Sequence, residues 1–485
     1  MNKPVLTRLS ADWLEQIPFI LFIIYLLILP YERILTTFMN AFFVLILVAV
    51  GLKTLVKGIN LTLSKDQVAV LFLLGALLGW LILGSVIRID SVTAITSNKT
   101  VLLHIGVIFI FLAEVNTLPR VRTILLAVSS IAAIIGFLSL IHLVVGLPFG
   151  RPATQSRSLG PLTFQTMRLL GAPMGYGAYG ILTSLGGTFA AGVAIWPHKL
   201  VGYRPDLAQS WASVSLVGMA IGVFLGQSRS TYLALAASAV VAVILLSYST
   251  QNRTLKRVVK GGAVVTGFVA VLVGVAYLGG FLVGSPESLS RRLQQYEIAI
   301  GIMLSDPMFG CGWDCARTVT AFSVSIHNSW LFMGAVGGVV VLFLWAAVFG
   351  LLSLGLFKQI SARSHEMNSR WRIFYRLPWP AGEAKRGSHR PNIRIDRFRP
   401  SFATVADNPT YRDRSTKGDL QLLGMVVTVG FVGVCVEMSL YPGVSDIVGI
   451  ALGTVIAVIG LEQNDYELRV VPGVGESDVS FKHTE

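Results

Sequence analysis

Residues 329–357 read SWLFMGAVGGVVVLFLWAAVFGLLSLGLF, and none of these 29 side chains is charged. A run of 18 or more apolar residues is long enough, as a helix, to cross the roughly 30 Å hydrocarbon core of a bilayer. Segments of the same character lie near 17–31, 36–52, 67–87, 100–114, 121–146, 173–197, 209–227, 230–248, 261–284, 420–440 and 444–461, which makes twelve in all. Twelve helices of about 20 residues consume about 240 residues, and the chain, 485 residues long and 54% hydrophobic, can supply them. Only 13% of its residues are charged and the mean hydropathy is +0.70. A soluble domain carries about 25% charge. Uncharged runs of this length also exclude a transmembrane β-barrel, whose strands show about 10 residues of weak alternation. The sequence predicts an all-α integral membrane protein of about twelve transmembrane helices.

Thirty-nine Lys and Arg against 25 Asp and Glu give a net charge of +14. In a membrane protein that excess reports orientation rather than nucleic-acid binding. Lys3 and Arg8 precede the first apolar segment, as in a signal peptide. That segment runs into Ile-Leu-Pro-Tyr-Glu-Arg with no small-x-small cleavage site, so it is read as a helix. With the N-terminus cytoplasmic and the chain alternating, 29 of the 39 cations fall inside and every short inside loop is basic. Both termini are then cytoplasmic. The chain divides into helices 1–10 over 1–357, a basic cytoplasmic loop at 358–418, helices 11–12 over 419–461 and a tail at 462–485. The loop at 358–418 holds fourteen cations, five acids and five prolines. Its plain reading is a segment lying against anionic membrane lipids, and its sharper one is a docking site for a cytoplasmic partner.

The outer face keeps ten cations: Arg33, Arg88, Lys99, Arg151, Arg157, Arg168, Arg229, Arg291, Arg292 and Arg317. Nine are arginine, whose planar fork binds phosphate in a bidentate manner. Arg33, Arg88, Arg151 and Arg157 read as interfacial anchors that snorkel. Arg229 differs, because it sits in a connection of a few residues between two apolar runs, at headgroup depth, where a charge is a functional hypothesis. Arg168 is placed just before an outer helix start. Arg291 and Arg292 open a segment with helical apolar spacing, an amphipathic helix in the outer loop 285–328. Near the end of that loop stands His327, followed by Asn328, at the start of the next helix. Histidine is the side chain suited to proton transfer near neutral pH, and it can equally cap the helix.

Other polar residues within the spans are His104, His142 and Glu437. The histidines read as satisfied core residues. Glu437, near the outer end of its helix, is open between pairing with an outer arginine and a part in catalysis. Three cysteines cannot build a disulfide framework or a four-ligand metal site. Cys435 reads as packing, whereas Cys311 and Cys315 fit a local disulfide or two free thiols. There is no Walker motif, HExxH or paired metal carboxylate, so no cofactor and no metal site is expected, and no nucleic acid as partner.

In order along the chain, Ser228-Arg229-Ser230, then Arg292-Leu-Gln-Gln-Tyr296 with Asp306-Pro-Met-Phe-Gly310-Cys-Gly312, then His327-Asn328-Ser-Trp-Leu, resemble the motifs of the O-antigen ligase/polymerase family of bacterial envelope glycosyltransferases. The resemblance covers about Arg168 to Gly355. It implies a metal-independent, inverting transfer of a glycan from undecaprenyl diphosphate to an acceptor hydroxyl on lipid A-core or a growing polysaccharide. It also places the site in the periplasmic loop between helices 9 and 10 of a protein of the bacterial inner membrane. On that resemblance Arg168, Arg229 and Arg292 hold the diphosphate, His327 is the general base, and Arg291, Asn328 and Glu437 support them. The competing reading is a transporter of an anionic solute, which calls for polar or discontinuous helices near the midplane.

Topology is testable directly. Reporter fusions at Ser156 and Ser288 are expected to read external, and fusions at Gln251 and Gly387 cytoplasmic. A cytoplasmic signal at Ser288 removes the site assignment.

Overall fold

The computed structural model describes residues 5–57, 59–88, 99–146, 151–159, 162–172, 174, 176–201, 204–226, 228–249, 286–312, 326, 328–374, 409–440, 446–461, 466–470 and 481–483. The helices are α1 (Val5–Ile28), α2 (Glu32–Lys57), α3 (Lys65–Arg88), α4 (Lys99–Glu114), α5 (Leu118–Val145), α6 (Tyr176–Ile195) and the short α7 (Pro197–Leu200). They continue with α8 (Pro205–Gly226), α9 (Arg229–Ser249), α10 (Pro286–Ser305), α11 (Ser329–Phe374), α12 (Pro409–Leu440) and α13 (Asp446–Gly460). Seven contain stretches long and apolar enough to cross a bilayer, and four more hold shorter apolar stretches. Each matches one expected segment; the expected segment at 261–284 lies outside the described residues. The chain is a multi-pass membrane protein and nearly all helical.

Two departures concern segments read as loops. Strands β2 (Arg151–Leu159) and β3 (Leu162–Leu170) form an antiparallel hairpin, with Ala153 opposite Arg168. Strand β1 (Ile59–Leu63) pairs with β4 (Tyr466–Val470), which pairs with β5 (Phe481–His483). That small sheet brings the connection between α2 and α3 beside the end of the chain. Helices α11 and α12 also run on as helix past their apolar stretches, Ser329–Ile360 and Asp419–Ser439, into the basic segment.

Helix α6 is central. In α6 and α12, 72% of the apolar window is buried, against 22% in α2. Around α6 pack α5, α8, α9, α12 and α13. At the end of the bundle expected to be cytoplasmic, ion pairs tie helix ends together. The buried Glu114 carboxylate accepts from Lys53 Nζ at 2.8 Å and Arg120 Nη1 at 3.3 Å, joining α2, α4 and α5. Arg122 reaches both the Lys199 carbonyl (2.7 Å) and Asp419 (3.2 Å), and Lys358 meets Asp66 at 2.9 Å.

The opposite end is organised by a break in α11. At Gly338 (φ 77°, ψ −173°) the helix leaves helical geometry, adopting a conformation open essentially to glycine alone. The backbone groups freed by the break are taken up by the turn at the end of α10. Val339 N–H donates to Pro307 O at 2.8 Å, Cys311 N–H to Ala335 O at 2.8 Å and Gly312 N–H to Val336 O at 2.9 Å. In hydrocarbon, freed backbone groups must be re-satisfied by other protein groups, and this turn does so. Trp80 of α3 holds the turn from the other side: its Nε1–H donates to Met308 O at 2.8 Å and its ring stacks on Phe309 at 5.2 Å. Gly338→Ala is expected to cost about 1–3 kcal/mol through the disallowed backbone geometry, since its methyl group also runs into the backbone of Pro307 and Met308. A lower melting temperature and yield in detergent would show it. Gly350→Ala in the same helix, where an added Cβ meets nothing within 4 Å, is the control and is expected to behave as wild type.

Candidate functional site

The C-terminal end of α12, the one expected from the charge balance to face outward, is where distant segments meet. Glu437, fully buried one turn before that end, accepts a hydrogen bond from Ser230 Oγ at 2.6 Å. Ser230 Oγ lies 2.9 Å from Ser228 Oγ, and the Ser228 carbonyl receives the N–H of Tyr232 at 3.1 Å in the first turn of α9. Gly180 of α6 closes the arrangement. A Cβ there would stand 2.6 Å from the Glu437 carboxyl carbon and 2.5 Å from Thr231 Oγ1, so only glycine lets α6 approach this closely. Two residues beyond Glu437, Ser439 Oγ accepts from Trp330 Nε1 at 3.0 Å. The Trp330 ring packs edge-on against Phe349 at 4.9 Å, and Phe349 stacks on Phe431 at 5.5 Å. One helix end therefore fixes the start of α9 and the start of α11.

Asn328 has a defined task at that second start. Its Oδ1 accepts from Trp330 N–H at 2.9 Å and Leu331 N–H at 3.0 Å, the geometry of an N-cap. The cap that the sequence left open for His327 is thus supplied by its neighbour. His327 itself lies outside the described residues, as do the side chains of Arg33, Arg88, Arg151, Arg157, Arg168, Arg229 and Arg291. Backbone places Arg229 as the first residue of α9, between the two bonded serines.

Arg292 is half-buried on α10. One turn on, Gln295, then Ala299 and Met303, form the buried face of that helix. The spacing puts Arg292 on the same stripe, against α11, with Met303 touching Gly334. The amphipathic helix read from the sequence is therefore present, from Pro286 to Ser305. Arg168 is not next to a helix start: it lies in β3, and α6 begins only at Tyr176. The chain just beyond Arg168 is nevertheless anchored, because Leu170, Gly171 and Ala172 are buried and Gly171 N–H donates to Ser139 Oγ of α5 at 2.8 Å.

Cys311 is disulfide-bonded and Cys435 is free, while Cys315 lies outside the described residues. His142 is buried, and its ring nitrogens find no hydrogen-bond partner among the described residues, contrary to the expectation of a satisfied core histidine. The His104 side chain is not among the described ones.

From Phe224 and Tyr232 near this end toward Ile195, Leu245 and Leu422 at the opposite one runs an apolar groove of about 630 Å³, floored by α6 and walled by α8, α9 and α12. Helices α8 and α9, consecutive in sequence, pack far less on each other than each packs on α6. The gap between them is bridged at its outer end by Tyr232 Oη donating to Val223 O at 3.2 Å. From Tyr232 the groove runs along α9 to Leu245, about 20 Å at 1.5 Å per residue. The groove, the break at Gly338 and the role of Ser439 have no clear signature in the sequence. The Gly-Gly pair at 337–338 is visible there, but glycine is common within transmembrane helices.

Comparison with curated proteins gives no match. Residues 214–346 match the O-Antigen ligase family model. That stretch contains Ser228-Arg229-Ser230, the α10 arginines with the turn docked at Gly338, and His327-Asn328, and the match supports the O-antigen ligase/polymerase family.

Proposed function

We infer that the protein is an inverting glycosyltransferase that moves a glycan from undecaprenyl diphosphate to an acceptor hydroxyl, on lipid A-core or a growing polysaccharide, at the periplasmic face of the bacterial inner membrane. The observation that carries this reading is the convergence on the outer end of α12, where Glu437 holds the Ser-Arg-Ser segment and Ser439 holds the helix that His327-Asn328 opens. A membrane enzyme of this family acts on lipid-linked glycans, and the groove beside the site supports such a donor over a soluble anion. The groove offers about 20 Å of apolar wall to a lipid chain entering from the outer side.

In the reaction, the acceptor oxygen attacks the anomeric carbon from the side opposite the diphosphate. A carbon–oxygen bond forms there, the bond to the phosphate oxygen breaks, and the anomeric configuration inverts. His327 takes the acceptor proton. Arg168, Arg229 and Arg292 neutralise the charge that builds on the departing diphosphate, the preorganised electrostatic stabilisation that carries most of such a barrier. Arg291 adds to the same positive field. The energy comes from the donor linkage, in keeping with the lack of a Walker motif. A transporter remains the less favoured reading. The break at Gly338 is the kind of discontinuity a transporter uses, but its freed backbone groups are occupied by the chain's own turn.

Deletion of the gene tests the reading and names the acceptor. Core lipid bearing no polysaccharide indicates a ligase, core capped by single repeat units indicates a polymerase, and unchanged surface polysaccharide refutes both. In purified protein assayed with lipid-linked donor, His327→Ala is expected to lower turnover about 10²-fold or more while donor binding survives. The wild-type rate is expected to rise with pH through the histidine range, since the neutral ring is the base, and to be indifferent to chelators. Arg229→Lys keeps the charge and loses the fork. A large fall in transfer with normal membrane insertion is expected, and near wild-type turnover would make Arg229 an anchor only.

A further inference from the structure

We propose that Glu437 is a positioning residue for the transfer reaction: its carboxylate, lodged between α6, α9 and α12, fixes the Ser228-Arg229-Ser230 segment at the start of α9. This rests on the glycosyl-transfer reading of the site. A fully buried carboxylate inside a bilayer is costly, and such groups are retained where they serve function. A neutral, well-packed side chain would join three helices at lower cost. What a carboxylate adds here is directional. Oε1 receives Ser230 Oγ at 2.6 Å, and Ser230 is linked in turn to Ser228 at 2.9 Å, so both residues flanking Arg229 are tied to one anchor. The anchor itself is held tightly, since α6 offers only the backbone of Gly180 at that height. The same stretch of α12 fixes Trp330 through Ser439, so Glu437 and Ser439 set the spacing between the α9 start and the α11 start.

The experiment compares Glu437→Ala, Glu437→Gln, Ser230→Ala and the Glu437→Ala/Ser230→Ala double variant in purified full-length protein. Transfer from a lipid-linked glycan is measured per folded molecule, alongside melting temperature. A displacement of about 1 Å at a reacting group can cost about 10²-fold. Glu437→Ala and Ser230→Ala are therefore each expected to lose at least about tenfold in turnover, with the double variant no worse than either. Glu437→Gln, which retains an acceptor oxygen for Ser230, is expected to recover most of the loss. Full specific activity in Glu437→Ala with a lowered melting temperature makes the residue structural glue and overturns the proposal. Loss in Glu437→Gln equal to that in Glu437→Ala makes it a proton carrier and also overturns it. Additive losses in the double variant break the coupling on which positioning depends. A wild-type protein with no transfer overturns the reaction and the proposal with it, a result distinct from an active wild type with indifferent variants.

Discussion

A helix that breaks inside a bilayer leaves peptide groups with no water to turn to. Much of the bundle's end opposite the ion-paired helix ends depends on how one break is repaired. Gly338 opens α11, and the backbone of residues 307–312 fills the opening with bonds to Ala335, Val336 and Val339. Because those bonds are made by backbone, the turn cannot drift relative to α11, and α10, which leads into it, is fixed as well. Trp80 extends the connection to α3 through Met308 and Phe309. Asp306 adds the local closure, its Oδ1 accepting from Phe309 N–H at 3.1 Å. The Asp-Pro-x-x-Gly-x-Gly segment is thus a fitted piece of backbone, with its glycines placed where a side chain would strike α11 or force positive φ.

The second organising feature is chemical. Hydrophobic association gives helices in lipid little preference for one partner over another, so polar contacts and close packing decide neighbours. At one end of this bundle ion pairs do that work, with Glu114 shared by two cations. At the other end the Ser230 hydroxyl meets the Glu437 carboxylate and the Trp330 indole meets the Ser439 hydroxyl. These contacts gather at the starts of α9 and α11, both of which fall within the stretch that matches the family model.

The spans are legible in the sequence because uncharged runs of about 20 residues admit little else in a bilayer. The amphipathic helix α10 is legible for the same reason of pattern, its buried Gln295, Ala299 and Met303 recurring at helical spacing. The hairpin is not. Arg151–Leu159 is too polar to resemble a buried strand, and only the Gly160-Pro161 dipeptide in the sequence marks a turn. That is why the sequence points Arg168 to a helix start rather than to β3. Nor can spacing distinguish Asn328 from His327 as the cap, since both can accept an N–H bond. The choice depends on which side chain reaches Trp330 and Leu331. Glu437 is visible as an oddity, but its partner is 207 residues away and no local pattern points to it.

That separation has a consequence for biogenesis. In a chain made from its N-terminus, α9 and α10 are made long before α12 exists. The turn at 307–312 can dock as soon as α11 arrives, because its partners lie only some thirty residues on. The serines flanking Arg229 wait far longer for Glu437, and Trp330 waits 109 residues for Ser439. Until then the starts of α9 and α11 lack the anchors that α12 supplies. Closure of that end of the bundle waits for α12, and so for the basic segment 358–418 that precedes it.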